Sequence, residues 1–269
     1  MGSYNQAARS ADQFTARTGV TVYSDLEMRP EFMLQYDVLT RLPEMTRLQS
    51  GGDTLLVIAN STTHQPTLLQ EPEYTPSSPV DNAAYDAEHQ ERFLAGPIAL
   101  QVDDEIQMAH YEVNMAALLL VGDWLQLLKE LGVYDNTRII IAADHGFEVN
   151  QIPDMILDST DEDIMGYNPL LMVKDFGAEG EIRTDTSFMT NADVPSLAMA
   201  DLINDPVNPF TGNPVNSEPK KAAQYVCISH DWAVERNKKS SFSGPWYAVA
   251  PGGTTLFDPS RWQLLPEEE

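Results

Sequence analysis

From Asp103 to Leu131 the apolar residues Val113, Ala116, Ala117, Leu120, Val121, Trp124, Leu127, Leu128 and Leu131 recur mostly at steps of three and four. That spacing predicts a long amphipathic helix with one buried stripe. Gly132 serves as its C-cap, and Tyr134-Asp135-Asn136 turns the chain. Three shorter runs are apolar at nearly every position: residues 53–60, 137–143 and 169–173. A run without alternation suits a strand covered on both faces. Further helices are predicted over 6–17, over 31–42 ended by Pro43, and over 194–203 with Asn191 or Asp193 as N-cap. Helix, short turn, apolar strand and polar strand end form one αβ unit of a parallel sheet. The expected fold is therefore a three-layer α/β/α sandwich with a mainly parallel central sheet. Residues 224–228 and 246–250, separated by a basic, Ser-rich turn at 236–243, predict a small C-terminal antiparallel hairpin on the sheet edge. One domain is expected, with packing helices over 1–50, core αβ units over 53–205 and edge strands over 206–269.

Composition narrows the chemistry. The 269 residues are 42% hydrophobic and 21% charged, ordinary for a globular chain, so the net charge of −25 comes from scarce bases (16 Lys and Arg against 41 Asp and Glu). Such a surface repels phosphate backbones, which argues against nucleic acid as a partner. The one cysteine, Cys227, excludes an intrachain disulfide and a Cys-based zinc site. Neither a signal peptide nor a transmembrane segment is visible: the apolar stretch from Met115 to Val121 is broken by Gly122 and Asp123, far short of the roughly 20 residues a span requires.

Asp144-His145-Gly146 is the sharpest local feature, because it follows directly on the apolar run at 137–143. A carboxylate next to an imidazole at a strand's carboxyl end can hold one divalent ion, with Gly146 letting the chain turn away. The bland alternative makes Asp144 a cap and His145 a satisfied loop histidine. His64 also lies just past an apolar run, among Ser61, Thr62 and Thr63; alone it reads as readily as a surface histidine. His110 falls at the polar boundary of the long helix, His89 in a solvated charged segment, and His230 is ambiguous. Asp158, Asp161, Glu162 and Asp163 lack the glycine and spacing of an EF-hand and read as a solvated loop.

The succession at 128–146, Leu-Lys-Glu-Leu-Gly-Val-Tyr-Asp-Asn-Thr and then Ile-Ile-Ile-Ala-Ala-Asp-His-Gly, resembles the C-terminal half of the alkaline phosphatase superfamily. Within it, the sulfatase-like branch of lipoteichoic acid synthases and phosphoethanolamine transferases is the most similar. The resemblance continues through residues 167–174 and 188–197, and Thr63-His64-Gln65-Pro66 is similar to that branch's upstream histidine motif. It implies that Asp144 and His145 are ligands of a divalent metal, zinc or manganese. It further implies that His64 contacts the transferred phosphoryl or sulfuryl oxygens of a small phosphate or sulfate ester or a lipid-linked substrate. The family's nucleophile and a further acidic ligand lie upstream of its histidine motif, and no hydroxyl residue before His64 sits at a strand-to-helix turn; Thr40 and Ser50 follow no apolar strand. The resemblance thus implies the C-terminal portion of a longer, membrane-associated enzyme acting on the extracytoplasmic face of the cytoplasmic membrane. On that expectation this chain alone is inactive and holds metal weakly or not at all. The alternative is a non-catalytic binding module that keeps the fold.

Overall fold

The computed structural model describes residues 18–19, 23–96, 98–216, 218–228, 245–249 and 258–266. The helix expected over 6–17, the turn at 236–243 and His230 lie outside them. The chain forms two compact units, Met1–Asp135 and Asn136–Glu269.

In the first unit, α1 (Pro30–Thr40) starts on a proline that suits the first helical turn. It stops before the expected Pro43, which instead opens the short α2 (Leu42–Met45). After α3 (Ala83–Glu88), the two-residue strands β1 (Leu94–Ala95) and β2 (Ile98–Ala99) pair antiparallel. The predicted long helix is α4 (Glu105–Glu130). Its N-cap is Asp104, whose carboxylate accepts from the Ile106 and Gln107 N–H groups at 2.9 and 2.8 Å. At its other end Gly132 has φ +70, and the Gly132 and Val133 N–H groups return to Lys129 and Leu128 oxygens. Those two bonds make a Schellman cap.

Phe32 of α1, Val113 and Ala116 of α4, and Leu69 and Tyr74 of the 66–82 loop form the core here. The loop is locked to α4 by a buried carboxyl group. Glu112, fully buried, accepts from the Leu69 N–H at 2.6 Å and from Asn82 Nδ2 at 2.9 Å. Asn82 Nδ2 also donates to the Leu69 oxygen. The proline-rich 66–82 loop is therefore anchored through its own buried residues.

Residues 53–60 do not form the expected buried strand. They take no regular secondary structure, and Leu55 and Val57 are 85% and 81% exposed. A strand apolar on both faces needs partners on its edges and cover on its faces; among the described residues 53–60 pair with no strand. Asn60 and Ser61, just beyond, are tied to Gln35 of α1.

The second unit begins with β3 (Ile139–Ala142). The two-residue strands β4 (Ile156–Leu157) and β5 (Glu162–Asp163) follow, and then β6 (Leu171–Lys174). β3 and β6 are antiparallel, with Ile139 opposite Lys174 and Ala142 opposite Leu171. This corrects the expected sandwich. All the described strands pair antiparallel, in separate sheets of two or three strands, and no parallel central sheet exists among them. The reason lies in the connection between β3 and β6. A parallel neighbour requires a crossover, usually a helix, that carries the chain back to the strand's starting end. Here the connection stays at one end, where the Ala143 N–H donates to the Leu170 oxygen and the Gly146 N–H to the Gly166 oxygen.

The predicted helix near 194–203 is the shorter α5 (Val194–Met199). Asp193 is its N-cap residue, as expected, but makes no side-chain cap bond to the helix; the buried Asp193 carboxylate instead accepts from the N–H (2.8 Å) and hydroxyl (3.2 Å) of Thr190, which caps the preceding turn at Asn191–Asp193. β7 (Gln224–Cys227) and β8 (Trp246–Val249) pair antiparallel, and β8 also pairs with β9 (Trp262–Leu264), giving a sheet of its own instead of a hairpin on a main sheet.

Candidate functional site

Asp144 and His145 leave the carboxyl end of β3, and backbone contacts fix the loop that carries them. Gly146 approaches residues 165–166 so closely that a Cβ on it would lie 1.8 Å from the Met165 oxygen. Its role is close approach, since its φ is not left-handed as a sharp glycine turn would require. Gly166 is constrained in turn, because a Cβ there would meet the Glu148 side chain at 2.5 Å. Asn191 Nδ2 donates to the Asp144 backbone oxygen at 2.6 Å, holding the loop from its other side.

The two side chains extend from this fixed loop into solvent, Asp144 93% and His145 58% exposed. His145 Nδ1 lies 2.6 Å from the Gly146 carbonyl oxygen. A carbonyl only accepts, so Nδ1 is the donor here and Nε2 is the ring nitrogen left to face a ligand. Nε2 stands 3.8 Å from Asp144 Oδ2. Metal-bound histidines commonly donate their other N–H to a carbonyl in this way. Two donors each about 2 Å from one tetrahedral zinc ion stand roughly 3.3 Å apart, so the exposed Asp144 side chain would have to close on Nε2 by about 0.5 Å for the pair to hold one side of a zinc or manganese site. The pair does not make a full ligand set, because no group of three or more His, Cys, Asp or Glu suited to a metal occurs among the described residues.

His64 belongs to the first unit, where it lies exposed in a turn closed by its N–H donating to the Ser61 oxygen, with Gln65 Nε2 3.2 Å from its Nδ1. Asp144 and His145 are brought together within the second unit. Two other readings change. His89 is stacked on Tyr85, ring centroids 3.9 Å apart, and not merely solvated. The acidic cluster is divided: Asp158 and Asp161 are exposed, while Glu162 and Asp163 are buried. Asp163 accepts from the Met165 and Asn150 N–H groups, and Glu162 accepts from the Tyr167 hydroxyl at 2.9 Å. Burial, reinforced by Glu162, raises the Tyr167 pKa and keeps its phenol protonated.

Beside Asp144 and His145 the second unit opens a cleft of about 240 Å³, walled by Tyr167, Phe188, Asn191, Gln224 and Trp262. Sequence reasoning missed its aromatic members. Trp262 lies near the end of the chain and enters the wall through β9, a strand whose partners are set only when the sheet forms. Compared with protein-family models, curated proteins and solved structures, the chain matches none, so the meaning of the site rests on its own residues.

Proposed function

We propose that Asp144 and His145 are the protein's part of a divalent-metal site serving a phosphate- or sulfate-ester hydrolase or transferase, and that this chain alone binds metal weakly and turns over little or no ester. The supporting observation is the placement of His145 Nδ1 2.6 Å from the Gly146 carbonyl oxygen, which turns Nε2 toward a solvent-exposed carboxylate 3.8 Å away. When bound, a divalent ion would supply charge neutralisation for the transferring group and a lowered pKa for a hydroxyl. The chain's own contribution is orientation: the Gly146–Gly166 contact and the Asn191 bond hold both donors on the same short loop. The absence of a third ligand group among the described residues favours a second reading, a binding module without catalysis.

Calorimetric titration with Zn²⁺ and Mn²⁺, together with turnover of p-nitrophenyl phosphate and sulfate, tests both. Weak binding lost in Asp144→Ala and in His145→Ala, without turnover, is the expected outcome. Robust turnover abolished by His145→Ala would refute the inactive half of the proposal. Equal binding by the double variant would reduce the site to diffuse surface acidity. No helix among the described residues is long and apolar enough to cross a membrane.

A further inference from the structure

We infer that residues 53–59 are an interaction surface for a second copy of this chain, pairing antiparallel with the same run about a two-fold axis at Leu56. Exposure alternates along the run: Leu55 and Val57 are 85% and 81% exposed, Leu56 and Ile58 62% and 41%. Successive side chains therefore point to opposite sides, as they do in a strand. Among the described residues no hydrogen bond reaches the backbone of 53–59. An extended apolar run with its backbone donors and acceptors unfilled is the arrangement that takes up another strand. Its far end is already fixed, because Asn60 Nδ2 donates to the Gln35 oxygen at 3.0 Å and the Ser61 N–H to Gln35 Oε1 at 3.3 Å. Beside that anchor, Leu34 and Val38 of α1 are exposed as well.

Charge and symmetry select a second copy as the occupant. The chain carries −25 overall, yet residues 41–60 are neutral, with Arg41 and Arg47 against Glu44 and Asp53. Two copies that repel each other as whole molecules meet least repulsion here. The run is also complementary to itself. A two-fold axis at Leu56 sets Leu55 opposite Val57, Thr54 opposite Ile58 and Asp53 opposite Ala59, so no charge faces its like. An in-register parallel pairing would instead place Asp53 beside Asp53. The two-fold operator closes the assembly at two copies.

The amount of surface sets the strength. The exposed apolar side chains of the run and of α1 number six, against roughly 20–30 residues a side in a standard interface. Such a patch supports a micromolar dimer and not a nanomolar one. All of these residues belong to the first unit, so the inference does not rest on Asp144 and His145.

Sedimentation equilibrium of the intact chain from about 1 to 200 µM is the first test, with a monomer–dimer curve and a Kd on the order of 10 µM expected. Val57→Lys, at a position already open to solvent, should weaken the dimer at least about tenfold. Phe210→Lys, at an exposed apolar position of the second unit, should leave it unchanged. Register is tested by oxidative cross-linking in a Cys227→Ser background, which removes the chain's one native thiol. Leu56→Cys should form a disulfide-linked dimer, because facing residues in an antiparallel pair lie about 4.5–5.5 Å apart between Cα atoms, within disulfide reach. Thr54→Cys should not, since its counterpart would lie roughly 13 Å along the ribbon. A monomer at every concentration, assembly that continues past two copies, a Val57→Lys dimer as tight as the parent's, or equal cross-linking at positions 54 and 56 overturns the inference.

Discussion

Gly146→Ala asks whether the candidate site depends on the packing of its loop. The added Cβ would lie 1.8 Å from the Met165 oxygen, whereas ordinary contact begins at 3.4 Å. The clash is with backbone, which cannot rotate aside, so the loop and residues 165–166 must separate by more than about 1 Å. That movement breaks the 2.8 Å bond from the Gly146 N–H to the Gly166 oxygen, worth about 1 kcal/mol, and adds about 1–3 kcal/mol of overpacking. The variant should therefore lose roughly 2–4 kcal/mol from the second unit. It should also lose zinc affinity, because Asp144 and His145 move with the loop. Urea unfolding followed by tryptophan emission gives the first quantity and calorimetry the second. A variant within about 0.5 kcal/mol of the parent and equal to it in zinc affinity would refute the claim that this contact sets the site.

Other predictions concern the first unit. Burial, aided by the nearby Glu71 and Asp86 charges, lifts the Glu112 pKa from 4.5 to about 8 against the opposing bonds from Leu69 and Asn82. A folded-state value above the unfolded one gives a contribution fully present below about pH 4.5 and lost as pH rises through about 8, with a ceiling of roughly 5 kcal/mol. Denaturation midpoints of this unit should fall between about pH 5 and pH 9, and Glu112→Gln should flatten that slope; an unchanged slope would show that Glu112 does not titrate there. Gly122 lies inside α4 with open space where a Cβ would go, so Gly122→Ala should stabilise by up to about 1 kcal/mol in a thermal melt. Asp104→Ala removes the side chain that caps α4 and should cost about 1 kcal/mol in the same assay.

The elements that were legible in the sequence are those whose signals are local. The α4 helix carries its own periodicity and its own Gly132 cap, and no distant residue is needed to define it. Strand pairing is different in kind. The runs at 137–143 and 169–173 read as buried strands, but their relative direction is set by the connection between them, and the chain doubles back where the sequence pattern suggests a parallel arrangement. The 53–60 run shows the same limit, since its composition describes a covered strand without naming what covers it. At the site, Asp144 and His145 could be picked out as adjacent donors at a strand end. The His145 tautomer and the purpose of Gly146 could not, because both depend on backbone atoms of folded loops.

The central claim is most directly tested by the ¹⁵N resonances of the His145 imidazole, recorded with and without Zn²⁺. A protonated Nδ1 in both states and a zinc-dependent shift confined to Nε2, absent in Asp144→Ala, is the predicted result. An Nε2 resonance indifferent to zinc, or a ring protonated on Nε2 instead of Nδ1, would contradict it.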